Sequence, residues 1–203
     1  MVQGGSTPLA RALAGEPSAG SVGPLDALEL GRQRWLEGER INMGALAETL
    51  GINRATLFRW VGGRDLFIGE IIWSFYQELL DATLQSTSGS GPEYVVSVSE
   101  RLMKKVMKSE ALYRFLRQDP EYGIRILTSK TSPFQARSVR AIRELIRTQS
   151  DQTGWSPPID PDDLAFLIVR VAESFLYGDV ISGQRTEIVQ TTMAVRLLLS
   201  GRA

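Results

Sequence analysis

The chain has 203 residues, 43% of them hydrophobic and 23% charged, the proportions of a globular protein rather than a disordered one. It contains no cysteine and no histidine. That excludes disulfides, thiolate nucleophiles, imidazole or thiolate metal sites and histidine-based triads, so neither a metal nor a cofactor is expected. Lysine plus arginine equals aspartate plus glutamate at 23 each, so any nucleic-acid binding must rest on a local cationic patch.

Residues 1–23 are rich in Gly, Ser and Ala and read mainly as a tail. One short piece carries helix punctuation: Thr7 as N-cap, Pro8 at the first helical position, Leu9 to Ala14, and a stop at Gly15. It either docks or frays, because a lone short helix is marginal in water. From Pro24 the pattern is helical. Leu25, Leu28, Trp35 and Leu36 form a stripe that ends near Gly38. Asn42 caps a short helix that runs through Leu50 and stops at Gly51; a second spans Asn53 to Val61, broken by Gly62 and Gly63. Leu66, Phe67, Ile71, Ile72, Phe75, Leu79 and Leu80 keep the 3.6-residue period along a long helix reaching about Leu84. Further helices are expected over 92–108, 109–118, 120–129, 134–153, 161–182 and 185–200, with no strand alternation anywhere. The fold class is all-α. No apolar run is long enough to span a membrane and no leader pattern opens the chain, so the expected location is the cytoplasm.

Residues 42–64 carry the functional signal. Leu46, Leu50, Ile52, Leu57 and Val61 would pack two short helices together, with Ala47 at their crossing and Gly51 at the turn, a helix-turn-helix pattern. An αα-hairpin in an ordinary helical core shares that apolar spacing. Between Ile52 and Arg64, however, stand three arginines and no acid, with Phe58 and Trp60 interleaved. In a DNA-binding unit the second helix enters the major groove with its N-terminal residues near base edges.

The run Leu46-Ala47-Glu48 through Gly51-Ile52-Asn53-Arg54-Ala55-Thr56-Leu57-Phe58-Arg59-Trp60-Val61, followed by Gly-Gly-Arg-Asp-Leu-Phe, resembles the N-terminal domain of TetR-family transcriptional regulators over about residues 24–70. Within that family it is most similar to the QsdR-type subgroup, which is associated with lactone catabolism and quorum-signal degradation. The resemblance implies a three-helix head at 24–64 and a larger effector-binding and dimerisation domain at 65–203. It also implies a palindromic operator and a ligand-released repressor. It places Asn53, Arg54, Ala55, Thr56, Phe58, Arg59, Trp60 and Arg64 at the DNA: Arg54, Ala55 and Arg59 toward bases, Thr56, Phe58, Trp60 and Arg64 toward phosphates. Phe58 stands where the family commonly has tyrosine and Trp60 where it has histidine, and Gly44 leaves the first helix of the motif without a polar base contact.

On the helix near 161–182, Leu164, Ile168, Val171, Ala172 and Phe175 make one face, and Phe166, Leu167, Arg170, Glu173, Ser174, Tyr177 and Ile181 the other. A helix apolar on two sides must be covered twice, by its own domain and by a second subunit. With the last helix, whose stripe is Ile188, Val195, Leu198 and Leu199, it would form the homodimer that the resemblance implies. Trp73, Tyr76, Tyr94, Tyr113, Phe115, Tyr122 and Phe134 are candidates for a pocket wall or for plain core. Arg170 and Glu173 make either an i, i+3 ion pair or, as Arg170 with Ser174 and Tyr177, a polar lining for a small-molecule effector. The ligand-binding set is then Trp73, Tyr76, Tyr113, Phe115, Phe134, Arg170, Ser174 and Tyr177, suited to a lactone or acyl-type molecule. Asp160 reads as a cap and Lys104, Lys105 and Lys108 as a solvated run. Two rival readings remain, an all-α carboxylate enzyme built on Glu173 and Tyr177, and a helical protein-interaction module.

Overall fold

The computed structural model describes residues 7–16, 22–129, 132–182 and 187–200, without the side chains of 179–182. Among the described residues the chain is helix and loop only. The expected start of the last helix at 185 and the side chain of Ile181 lie outside them.

The first helix, α1 (Pro8–Leu13), begins where its punctuation predicts, with Thr7 Oγ1 accepting from Ala10 N at 3.1 Å. It docks against both α2 (Pro24–Glu37) and α4 (Arg54–Val61), and Leu9 is fully buried there. That burial is worth about 1.5–3 kcal/mol, which helps offset the cost of ordering so short a helix.

On α2 the stripe differs from the sequence expectation. Leu25 and Leu36 are 46% and 57% exposed, while Ala27, Leu28, Gly31 and Trp35 face inward. The reason is close approach: a methyl group at Gly31 would sit 2.7 Å from Phe67 Cζ and 2.8 Å from Ile71 Cδ1. Both belong to α5 (Arg64–Ser86), which packs directly on α2. Between them, α3 (Met43–Thr49) and α4 pack as the helix-turn-helix pattern requires. Leu46, Ala47, Leu57 and Val61 are buried, and Gly51 turns the chain at φ +66°.

The remaining helices are α6 (Gly91–Met107), α7 (Glu110–Gln118), α8 (Pro120–Thr128), α9 (Phe134–Thr153), α10 (Pro161–Ser182) and α11 (Ile188–Ser200). Asp160 caps α10 through Asp162 N, at 2.8 Å. Two apolar clusters fill the interior. One joins α1–α4 and the first half of α5 to α7, α8 and Tyr177 of α10. The other is built by the far half of α5 with α6, α9, α10 and α11. The long helix α5 therefore runs through both.

Candidate functional site

Helix α4 has two faces. Leu57 and Val61, one turn apart, are its buried seam, 0% and 1% exposed. Arg54, Ala55 and Arg59 are exposed on the opposite side, where a groove of a duplex could reach them. The Asn53 side-chain carbonyl accepts from Thr56 N at 2.7 Å, so this oxygen is engaged as the helix cap. Phe58 and Trp60 are half-buried and packed against the first apolar cluster, so each contributes core area as well as an exposed edge. The Arg54 guanidinium lies 5.3 Å from the Phe58 ring centroid, a contact that orients the cation on the exposed face.

Arg64 starts α5 and is held at the root of the head. Its Nε donates to Ile41 O at 3.0 Å, and its guanidinium lies 5.1 Å from the Tyr122 ring. Tyr122 of α8 in turn donates to Asp65 Oδ1 at 2.8 Å, and Arg125 stands 3.5 Å from the other Asp65 oxygen. Burial, followed by this bond to Asp65, pushes the Tyr122 phenol up to about 12, so it remains a donor across the ordinary pH range. From α7, Arg114 reaches Leu36 O at the end of α2. One turn further along α5, Glu70 is clasped by Arg137 of α9 at 2.6 and 2.8 Å. These bonds tie the start of α5, and with it the head, to α7, α8 and α9.

Beyond them a cavity of about 390 Å³ opens among α5, α6, α7, α9 and α10, bounded by the end of α2. Of the sequence-expected ligand set, Tyr76, Phe134 and Tyr177 line it. Trp73 touches the Tyr76 and Phe134 rings from outside the lining, with centroids 5.5 and 6.3 Å away. Phe115 instead packs on Trp35 at 4.8 Å and lines a smaller cleft beside Arg64, and Tyr113 stacks under Arg117. Arg170 and Ser174 are exposed and away from the cavity; Arg170 pairs with Glu173 at 2.7 Å and Ser174 donates to Val171 O. The intrahelical ion pair is therefore the arrangement observed.

Glu173 and Tyr177, which share the sequence-expected second face with Phe166, Leu167, Arg170 and Ser174, are only 7% and 8% exposed, whereas those four are exposed. Helices α8, α9 and α11 all pack on α10, which widens its buried arc through Ala165, Val169 and Leu176 to include them. Sequence reasoning placed Glu173 only in an ion pair or a catalytic pair, yet it lines the cavity, as do Lys105 and Lys108. Burial raises the Glu173 carboxyl above its usual range, opposed by Arg170. Burial also raises the Tyr177 phenol, and the neighbouring Glu173 charge adds to that.

The outer side of α10 and α11 is apolar and uncovered. Phe166, Leu167, Val189, Met193 and Leu197 are between 38% and 70% exposed. Among the described residues, no helix is long and apolar enough to cross a membrane.

A family model described as tetracyclin repressor-like, C-terminal domain, matches residues 90–200. No curated protein matches the chain. Among solved structures, the chain is similar to the transcriptional repressor QsdR of the TetR family from R. erythropolis. The TM-score is 0.80 at 28% identity, covering 87% of this chain and 94% of that one. It is also similar to PfmR, a TetR family transcriptional regulator from Thermus thermophilus, with TM-score 0.44 and 16% identity over 86% and 97% of the two chains.

Proposed function

This chain belongs to the TetR family of transcriptional regulators, and from that premise we propose that it is a ligand-released repressor which binds a palindromic operator as a homodimer. The observation that carries the reading is the division of α4, with Leu57 and Val61 sealed into the head while Arg54, Ala55 and Arg59 stand free. A core hairpin has no need of such a cationic outer face. In the bound state Arg54 and Arg59 read base edges, and Thr56, Phe58, Trp60 and Arg64 hold the backbone beside them. Asn53 contributes as the cap that fixes the first turn of α4.

Residues 24–64 are then the DNA-reading head and 65–203 the effector-binding and dimerising body. The uncovered apolar side of α10 and α11 is the surface on which a second copy packs, and two-fold symmetry presents two α4 helices to two half-sites. A small molecule in the cavity of α5, α6, α9 and α10 releases DNA by favouring another tilt of α5, which it can do only by binding the two tilts with different affinity. The similar protein from R. erythropolis is a transcriptional repressor, which supports the direction of control. The regulators of this family are transcription factors rather than enzymes, and we read Glu173 and Tyr177 as ligand-recognition groups.

The test is selection from random duplex oligonucleotides with purified protein, followed by titration of the winner. A palindromic winner is expected. Arg54→Ala should relax base preference and cost about 1–3 kcal/mol. Arg64→Ala should weaken all sequences alike and lower the salt slope by about one. Recovery of no preferred duplex, or equal retention by both variants at every salt concentration, overturns the assignment.

A further inference from the structure

The cavity wall is chemically lopsided. Most of it is hydrocarbon and ring, with Phe75, Leu79, Leu102 and Ile168 among its lining. Against this stand two buried polar atoms with no hydrogen-bond partner, Glu173 Oε1 and the Tyr177 hydroxyl. Both residues line the cavity, and they are four apart on α10, so they lie one above the other on a single helical face. The second carboxylate oxygen, Oε2, is held at 2.7 Å by Arg170, which lies outside the lining. The cation, with Gln135 beside the same carboxyl group, steadies the carboxylate, while Oε1 is buried without a partner. Native proteins pair nearly all buried polar atoms, so two adjacent unpaired ones in the same hollow mark where a ligand supplies the bonds.

We propose that the effector is a neutral amphiphile whose head offers an N–H or O–H donor to Glu173 Oε1 beside a carbonyl acceptor for the Tyr177 hydroxyl, and whose hydrocarbon tail fills the rest of the cavity. This rests on the effector reading above and narrows it to a chemical class, of which a long-chain primary or secondary amide is the simplest member. The volume, about 390 Å³, falls within the range of small-molecule sites. Tyr177, whose phenol is raised by burial, keeps its proton and can donate. A head without a donor, such as a simple ester, strips solvent from Glu173 and returns nothing, which costs about tenfold in affinity. A carboxylate head does worse, because it brings a like charge against Glu173 in a poorly screened interior. The cations in the lining do not reverse this. Lys105 is half-exposed and Lys108 exposed, with the exposed Glu78 lining the same cavity, so these charges are screened by solvent.

Decanamide, methyl decanoate and decanoate share one tail and differ only at the head, so calorimetric titration of the full chain with each isolates the inference. Decanamide should bind about tenfold tighter than the ester, with decanoate weakest. Glu173→Leu should bring amide and ester to similar affinity. Glu173→Gln, which removes the charge and keeps the shape, should raise decanoate affinity about tenfold. Tyr177→Phe should weaken amide and ester together and preserve the gap between them. If the ester binds as tightly as the amide, or the gap survives Glu173→Leu, the donor requirement is wrong while the cavity remains an effector site. If none of the three binds, both the inference and the effector reading fall.

Discussion

Removing Arg137 should unseat a buried charge. Its guanidinium meets Glu70 through two parallel bonds of 2.6 and 2.8 Å. The Glu70 side chain is only 6% exposed, whereas that of Arg137 is 27% exposed. Arg137→Met keeps most of the stem and deletes the guanidinium, which also lies 5.7 Å from the Trp73 ring centroid. The carboxylate is then buried without a counterion. Breaking a buried pair from one side costs about 3–5 kcal/mol, and the partial exposure of Arg137 places this case near the lower end, about 3 kcal/mol. For a chain of this size that lowers the thermal midpoint by about 6–12 °C. Replacing both partners, as Glu70→Met with Arg137→Met, should recover most of the loss, because an apolar pair carries no desolvation penalty. Circular dichroism melts at one fixed protein concentration measure this. A single variant within about 2 °C of the parent, or a double variant no better than the single, refutes the reasoning.

Three further outcomes follow from other parts of the molecule. Leu9→Ala should cost about 2–5 kcal/mol and also weaken operator binding, since Leu9 lies fully buried where α1 meets α4; melts and fluorescence anisotropy report the two effects, and a stability loss with unchanged DNA affinity would limit α1 to a structural part. Met193→Glu, at a residue 64% exposed, should leave the fold intact and shift sedimentation to the monomer, whereas an unchanged dimer would remove the outer side of α11 from the interface. Glu173 titrates higher folded than unfolded, so the folded chain holds its proton more tightly. Relative to Glu173→Gln, the parent should lose stability as pH rises from the usual value of 4.5 through the raised one, then level off; a difference that grows on acidification contradicts this sign.

The features legible in the sequence are those fixed by neighbours along the chain. Thr7, Asn42, Asn53 and Asp160 each cap a helix through a side-chain oxygen and a backbone N–H two or three residues on, and such chemistry is local. The seam of Leu57 and Val61 follows from helical period alone. What was hidden depends on distant partners. Leu25 and Leu36 look like core until Phe67 and Ile71 press against Gly31 and rotate α2. Glu70 and Arg137 are 67 residues apart, and nothing local announces their pairing. Periodicity shows that α10 is apolar on two sides, but three packed neighbours decide that Glu173 and Tyr177 turn inward while Arg170 and Ser174 turn out.

Docking of α1 has a practical corollary. A methyl group at Gly62, the residue that ends α4, would lie 2.8 Å from Thr7 Cγ2, so the extension buttresses the C-terminal end of α4. Six helical residues have little affinity of their own; they stay in place because the covalent tether to α2 keeps their effective concentration high. One peptide-bond cut between Glu16 and Val22 would sever the first 16 to 21 of the 203 residues and spare the body. The same nick would let the buttress diffuse away, so intact-mass verification belongs before any operator titration.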